Sequence, residues 1–394
     1  MKLVGIDVGK NSHHFCVMDK ETGEFNVAPS SFSNNKEGFD FLINSLKPYS
    51  KKSILIGMED TGHYHVALLK FLLSNGYTVA LINPKTTDLT RKMEGGITKN
   101  DKLDTITICD VLDTPERKKQ YRITKVDRFD LYEQRQLTRH HHNLKEELNV
   151  YCNRLQKSID LVFPEFNTLF SSKYSIVYMN LLKTFGSAEA IASTDIRTIR
   201  KCFEIKGRGN RISLTPEKLK ECAKNSIGIS SEVETIQIKH LVSQITLIKE
   251  QIAEIDKKIE EFSITNNSPI LSIPGISHFS GTSILAELGD IGNYSKPSQI
   301  IKFAGVAPYH YESSQYNAQH TGITKKRSKY LRKTLYQIIL TVINNNPVFK
   351  KYYLLKISQG KGHRCAQGHC IRKLLRIIYH LLETGQSFDP ALLR

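Results

Sequence analysis

Asp7 stands inside an apolar run, KLVGIDVGK, and Glu59 closes another, SILIGMED, while Asp101 and Asp104 lie three apart in TKNDKLDTITICDVL. Acids three apart share one face of a helix. Four gathered carboxylates repel one another unless divalent cations neutralise them, and oxygen-only ligands suit Mg²⁺ or Mn²⁺. Two such ions about 4 Å apart clamp the attacking and leaving oxygens of a phosphodiester. Taken singly, Asp7 reads as a surface acid beside a turn, Glu59 as a helix-start residue, and Asp101 and Asp104 as first-turn acids favoured by the helix dipole. Taken together they read as a metal site. Asp60 competes with Glu59 for the same strand end, because strand alternation turns only one of them inward.

A second candidate chemistry sits in GVAPYHYESSQY, residues 305–316, where Ser313 and Ser314 follow a glutamate. Alone, the stretch reads as a polar loop. A serine hydroxyl becomes a useful nucleophile only when a base or a metal lowers its pKa. GHRCAQGHC offers His363, Cys365, His369 and Cys370, but their spacing matches no paired zinc-ligand signature, and they read as packing residues at a helix start.

The elements that must position these groups fall into three segments. KLVGIDVGKNSHHFCVMD reads as a β-hairpin, with a third strand near Phe25 to Ala28. Apolar spacing then predicts a helix in NKEGFDFLINSLKPY, the strand SILIGMED, the helix HVALLKFLLSNG and the strand TVALINP. The order βββαβαβ is that of an RNase H-like mixed sheet covered by helices. No GxGxxG follows the first strand, which argues against a dinucleotide site. The expected fold class is therefore α/β plus all-α, with an α/β domain over 1–120, a helical segment over 121–265 and a helical C-terminal domain over 266–394.

In the middle segment Ile238, Leu241, Ile245, Ile248, Ile252, Ile255, Ile259 and Phe262 alternate spacings of three and four. That heptad seam predicts a coiled coil, as a dimer or as an intramolecular hairpin with the long helix expected before residue 163. Lys206, Arg208 and Arg211 lie in a basic, glycine-containing loop and are candidate phosphate contacts. In the last segment, LSIPGISHFSGTSILAELGD reads as a helix-hairpin-helix pattern whose second helix begins at Ser280. Beyond it, Lys325, Lys326, Arg327, Lys329, Arg332 and Lys333, with Tyr330 interleaved, form a cationic strip at a helix start.

The formal charge of +17 is unevenly spread. Residues 1–110 carry 13 basic and 13 acidic side chains, whereas residues 263–394 carry 17 and 5. Lys and Arg neutralising phosphates supply most sequence-independent nucleic-acid affinity, so a basic C-terminal third implies a polyanion partner. No apolar run approaches the roughly 20 residues that span a bilayer, and MKLVGIDVGK lacks a signal-like apolar stretch. Seven cysteines without a CxxC pair suit a reducing compartment. The expectation is a cytoplasmic protein with no membrane partner.

The ordered set GIDVGK, GMEDTGHY, TKNDKLDT, SIPGISHFSGTSILAELGD, FAGVAPYHYESSQY, ITKKRSKYLRKTLYQ and IRKLLRIIYHLL resembles the DEDD-type transposases of bridge-RNA-guided insertion sequences, the family that includes the pilin-gene invertase. The likeness covers nearly the whole chain. It implies a RuvC-like N-terminal domain in which Asp7, Glu59, Asp101 and Asp104 are the four acids, a coiled-coil segment mediating assembly, and a C-terminal domain with a serine nucleophile. The family's Gly-x-x-Pro turn matches Gly305 and Pro308, which puts that serine at Ser313; Ser314 stands where the family has glycine. The implied activity is cutting and rejoining of DNA through a covalent phosphoserine. Its implied partners are donor and target DNA, a structured guide RNA, and further copies of the chain as a dimer or tetramer. The alternative is a metal-dependent Holliday-junction-type endonuclease using water in place of serine.

Overall fold

The computed structural model describes residues 1–60, 62–93, 100–114, 123–126, 128–204, 213–309, 312–313, 316–317 and 322–392. For residues 123, 124, 312, 313, 316, 317 and 392 it describes the backbone alone. The chain divides into two compact units, Met1–Thr138 with Phe262–Arg394, and Arg139–Glu261.

The first unit opens with strands β1 (Lys2–Val8), β2 (Ser12–Asp19) and β3 (Phe25–Ser33), then α1 (Lys36–Leu46), β4 (Ile54–Glu59), α2 (His65–Ser74) and β5 (Val79–Ile82). Helices α3 (Pro84–Met93) and α4 (Asp101–Asp113) and a final strand β6 (Ile123–Val126) follow. The six strands lie in the order β3-β2-β1-β4-β5-β6. β1 runs antiparallel to β2 and parallel to β4, so the sheet is mixed as expected; β6 is an added antiparallel edge that the strand pattern did not signal. One face buries Val4, Ile6, Ile56 and Met58 with Leu42 of α1 and Leu68 and Leu72 of α2. The other buries Leu3, Leu55, Ala80 and Ile82 beneath Ile108, Cys109 and Leu112 of α4.

Two glycines let α4 approach. A methyl built on Gly5 would lie 2.0 Å from the Thr105 carbonyl oxygen, and one built on Gly57 would lie 2.9 Å from a Leu112 methyl. Because side chains alternate along a strand, Asp7 shares the face of Gly5 and Glu59 that of Gly57. The acids therefore emerge on the α4 side, where the helix N-terminus carries Asp101 and Asp104.

The second unit is helical. It takes most of α5 (Phe129–Val162), the short helices α6 (Ile176–Thr184), α7 (Ala188–Ser193), α8 (Ile196–Lys201) and α9 (Pro216–Lys224), and most of α10 (Glu232–Asn266). Thr215 caps α9 by accepting from the Lys218 amide, with Pro216 at the first turn. Leu155 and Ile159 of α5 share a core with Ile238, Leu241, Val242 and Ile245 of α10. His141 meets Asp256 at 3.1 Å, tying the two long helices together. The seam continues buried through Ile248, Ile252, Ile255 and Ile259. The heptad positions from Ile238 to Ile259 are thus buried within this unit. Lys206, Arg208 and Arg211 lie outside the described residues.

The C-terminal part of the first unit contains α11 (His278–Leu288), α12 (Pro297–Phe303), the two-residue strands β7 (Glu312–Ser313) and β8 (Tyr316–Asn317), then α13 (Lys329–Asn345), α14 (Pro347–Ser358) and α15 (His363–Thr384). Its core joins Ile284, Ile300, Leu335, Ile339, Leu374 and Ile378. The helix-hairpin-helix expectation needs correction. The first limb is only a 3-10 turn at Pro269–Ser272, and the second helix starts at His278, because Ser277 and Ser280 form a reciprocal capping box that places Ser280 one turn inside. Gly275, at φ 98°, is there for close packing: a methyl on it would lie 2.8 Å from the Val342 amide of α13.

Candidate active site

The register of the sheet sets the acid cluster. Ile6 lies beside Met58 in the parallel β1–β4 ladder, so the next step brings Asp7 beside Glu59. Across the other edge of β1, Asp7 is the direct antiparallel partner of His14 on β2. Asn100 caps α4 by accepting from the Lys102 amide at 3.0 Å, which fixes where Asp101 begins the helix.

Asp7, His14 and Asp101 each offer one ligand atom, and these atoms lie within 4.8 Å of one another. His14 Nδ1 is 3.8 Å from Asp101 Oδ2. Two carboxylates with one imidazole are a donor set that fits a divalent cation. The other two acids are engaged by neighbours. Thr87 of α3 donates to Glu59 Oε1 and also to the Pro84 carbonyl. Arg91 Nη1 donates to Asp104 at 2.9 Å while its Nη2 holds Asp88 at 2.9 Å. Asp60 turns away towards the buried His65, 3.5 Å distant. Glu59 is therefore the acid on the α4 side of the strand end.

His14 is the residue that sequence reasoning missed. Its signal was the alternation of HHFCVMD, which places His14 and Cys16 on one face; which residue of β1 it meets depends on the hairpin register. Next to this cluster, Cys16 and Cys109 bring their sulfurs to 3.7 Å. Hydrogen bonding from Cys109 pulls the Cys16 thiol down to about 7, and the same bond, with burial, pushes Cys109 well up.

The serine candidate is held by a different device. The arms of its loop pair as a short antiparallel ladder: Thr324 N–H donates to the Ala307 carbonyl at 3.0 Å, Lys325 N–H to Gly305 at 3.0 Å and Tyr309 N–H to Gly322 at 2.8 Å. Pro308 bridges Ile323, and farther out Glu312 pairs with Asn317 and Ser313 with Tyr316. Ser313 is thus the last described residue of its arm. Its side chain and all of Ser314 lie outside the described residues. The returning arm needs left-handed backbone at Lys325 (φ 51°) and Arg327 (φ 68°), and Ser328 then caps α13 by accepting from Leu331 N–H at 3.0 Å while donating to the buried Glu287 at 2.6 Å. Of the cationic strip, Lys325, Lys326, Arg327 and Lys329 are exposed, whereas Arg332 and Lys333 are half-buried. His363, Cys365, His369 and Cys370 form no ligand cluster among the described residues; His363 instead meets Tyr353 Oη at 2.5 Å.

A family model for DEDD-type IS110 transposases matches residues 4–164, and a second, described as transposase of the IS116/IS110/IS902 family, matches residues 267–354. The chain belongs to the IS110-type transposases. Its similarity to the pilin gene-inverting proteins of Moraxella lacunata and Moraxella bovis is 22% identity in each case, over 98% of this chain and 97% of theirs. It is also 26% identical to the insertion element IS900 uncharacterized 42 kDa protein of Mycobacterium paratuberculosis, over 43% of each chain. An IS110-type transposase is an enzyme acting on DNA, and the DEDD-type domain implies dependence on a divalent metal. The first family match contains the whole acid cluster, and the second contains both arms of the serine loop. No helix among the described residues is long and apolar enough to cross a membrane.

Proposed function

We propose that this IS110-type transposase cuts and rejoins DNA through a covalent phosphoserine at Ser313, assisted by Mg²⁺ or Mn²⁺ at Asp7, Glu59, Asp101 and Asp104 with His14 alongside. The observation that carries the reading is the convergence of acids from two strands and one helix N-terminus on a single face of the sheet, with Asp7, His14 and Asp101 within reach of one cation. The strand order β3-β2-β1-β4-β5 supports a RuvC-like, RNase H-type domain.

Bound metal supplies charge stabilisation and a lowered pKa for a coordinated oxygen. The chain's residues do the rest. Ser313 Oγ forms a bond to phosphorus and gives up its proton, while the bond from phosphorus to one deoxyribose oxygen breaks and that oxygen leaves as a protonated hydroxyl. The phosphodiester energy stays in the serine ester, so attack by a new strand's hydroxyl rejoins DNA without ATP. Asp101 is mostly exposed and Asp104 mostly buried, so the site has one face open to a polyanion.

Donor and target choice by a structured guide RNA, and a working dimer or tetramer in the cytoplasm, complete the reading. The basic C-terminal third supports the nucleic-acid partners. With the Ile238–Ile259 seam buried within the chain, an oligomer has to use other surfaces. The test is to incubate the protein, RNA from the flanking element and DNA with Mg²⁺, denature, and look for a DNA-linked protein band. The band should vanish in Ser313→Ala and persist in Ser314→Ala. Cleavage undiminished in Ser313→Ala would replace serine with water as the nucleophile.

A further inference from the structure

Beside the root of the serine loop lie Arg332 and Arg372, with Arg364 nearby over Tyr336, and among the described residues none of the three pairs with a carboxylate. Arg332 lies one turn before Tyr336 on α13, and its Nη1 reaches the Ala304 carbonyl at 3.4 Å. Arg372 of α15 reaches the Val306 carbonyl at 3.3 Å. The two guanidiniums thus bracket Gly305, whose φ is 68° and where a methyl would lie 2.6 Å from Arg332 Nη1. Arg364, two turns before Arg372 on α15, places its guanidinium carbon 5.9 Å from the centre of the Tyr336 ring. The helices are close here: a methyl on Gly368, midway between Arg364 and Arg372, would lie 3.5 Å from Tyr336 Oη.

Among the described residues, these three guanidiniums make no ion pair. Their bonds go to two backbone carbonyls and, from Arg364, to the Gln367 side chain at 3.5 Å, all long enough to leave most of the donors unspent. Arg332 and Arg372 are half-buried and Arg364 is exposed beside them; like charges held together at partly buried positions cost free energy unless an anion joins them. The local field agrees: burial pushes the Tyr336 hydroxyl up, and Arg372, Arg364 and Arg332 all oppose that shift. His369 is pushed down by burial first, then by Arg372, Lys356 and Lys361.

We propose that Arg332, Arg364 and Arg372 form a cradle for a DNA phosphodiester beside the serine loop. Planar guanidinium forks match phosphate oxygens in pairs, which lysines of the exposed strip do not. Arg332 and Arg372 bind the loop's root with one nitrogen and offer the others to the strand, so the cradle couples the strand's position to that of Gly305. The assignment to DNA rests on the reading that this loop carries the strand-transfer serine.

The test uses the full-length protein and a fluorescent DNA duplex, with affinity read by anisotropy between about 50 and 200 mM KCl. Arg364→Gln, Arg332→Gln and Arg372→Gln should each flatten the slope of log affinity against log salt by about one, and Arg364→Lys should keep most of it. Arg364 has no bond to the loop's backbone, so its variant separates phosphate binding from loop disorder; thermal unfolding checks that all four variants fold. Unchanged slopes in the three glutamine variants, or flattening seen only with an RNA of the same sequence, overturn the cradle. The serine adduct is assayed in parallel. An adduct with unchanged slopes sinks the cradle alone, whereas flattened slopes without any wild-type adduct leave the cradle standing and sink the serine reading.

Discussion

At the acid cluster, side-chain positions follow from sheet register and from a helix lying directly on two glycines, whereas the serine loop is set by backbone hydrogen bonds and left-handed residues at its root. The first is a packed arrangement in which Glu59 and Asp104 already have partners in Thr87 and Arg91. The second is a two-stranded ladder, a form that has marginal stability alone and takes its position from the helices at its ends. Under the proposed mechanism the difference assigns tasks: the acids hold a fixed charge pattern, and the loop brings a nucleophile to it.

The sharpest way to break the contrast is Gly5→Val. Its new carbons would overlap the Thr105 carbonyl, and α4 would have to lift from the sheet. We expect a loss of about 3 kcal/mol or more in chemical denaturation, with metal binding lost as well. Asp7→Asn should leave the melting curve nearly unchanged yet lower DNA cleavage on the order of a thousandfold, as read by product formation in Mg²⁺. Equal cleavage by the variant would remove the acids from the chemistry.

On the loop side, Gly305→Ala introduces a side chain at positive φ, 2.4 Å from the Lys326 carbonyl. Displacing a nucleophile by about 1 Å costs on the order of a hundredfold, so adduct formation should drop by about that factor while Mn²⁺ binding stays intact. His14→Gln sharpens the acid side. Mn²⁺ affinity measured by titration should fall about tenfold, and nitrogen coupling in the pulsed magnetic-resonance spectrum of bound Mn²⁺ should disappear. Bound Mn²⁺ without nitrogen coupling in the unmutated protein would confine the site to oxygen ligands.

The smallest effect concerns the far end of the β1–β2 hairpin. Lys2 Nζ bonds Asp19 at 2.6 Å and draws that carboxyl from its ordinary 3.8 to about 2. A depressed acid stabilises the folded state above its unfolded pKa and loses that contribution as pH falls through the folded value. Thermal unfolding should therefore show a slight extra decline between pH 4 and 2 that Lys2→Met abolishes, with cleavage at neutral pH unaffected.

Much of this was legible because it depends on local pattern. Continuous apolar runs marked β1, β4 and β5, and the acids within or closing two of them marked where carboxylates would emerge. The long helices followed from their periodicity. His14 was not legible, since its meeting with Asp7 depends on how many residues the β1–β2 turn consumes. Nor was the capture of Asp104 by Arg91, which requires α3 and α4 to pack side by side. The glycine in SIPGIS read as a phosphate-binding turn, but it is the approach point of α13, a role only the neighbouring helix reveals.

By itself the sequence determined the element types, the candidate acids and serine, and the concentration of positive charge in its last third, because propensity, periodicity and charge are properties of neighbours along the chain. Only the tertiary structure decided which of those acids share a cation's reach, that the isoleucine seam is buried within its own unit, and that Arg332 and Arg372, distant in sequence, reach the carbonyls on either side of Gly305. Those outcomes depend on register and helix packing, where free energy is set by contacts between distant segments that no local pattern encodes.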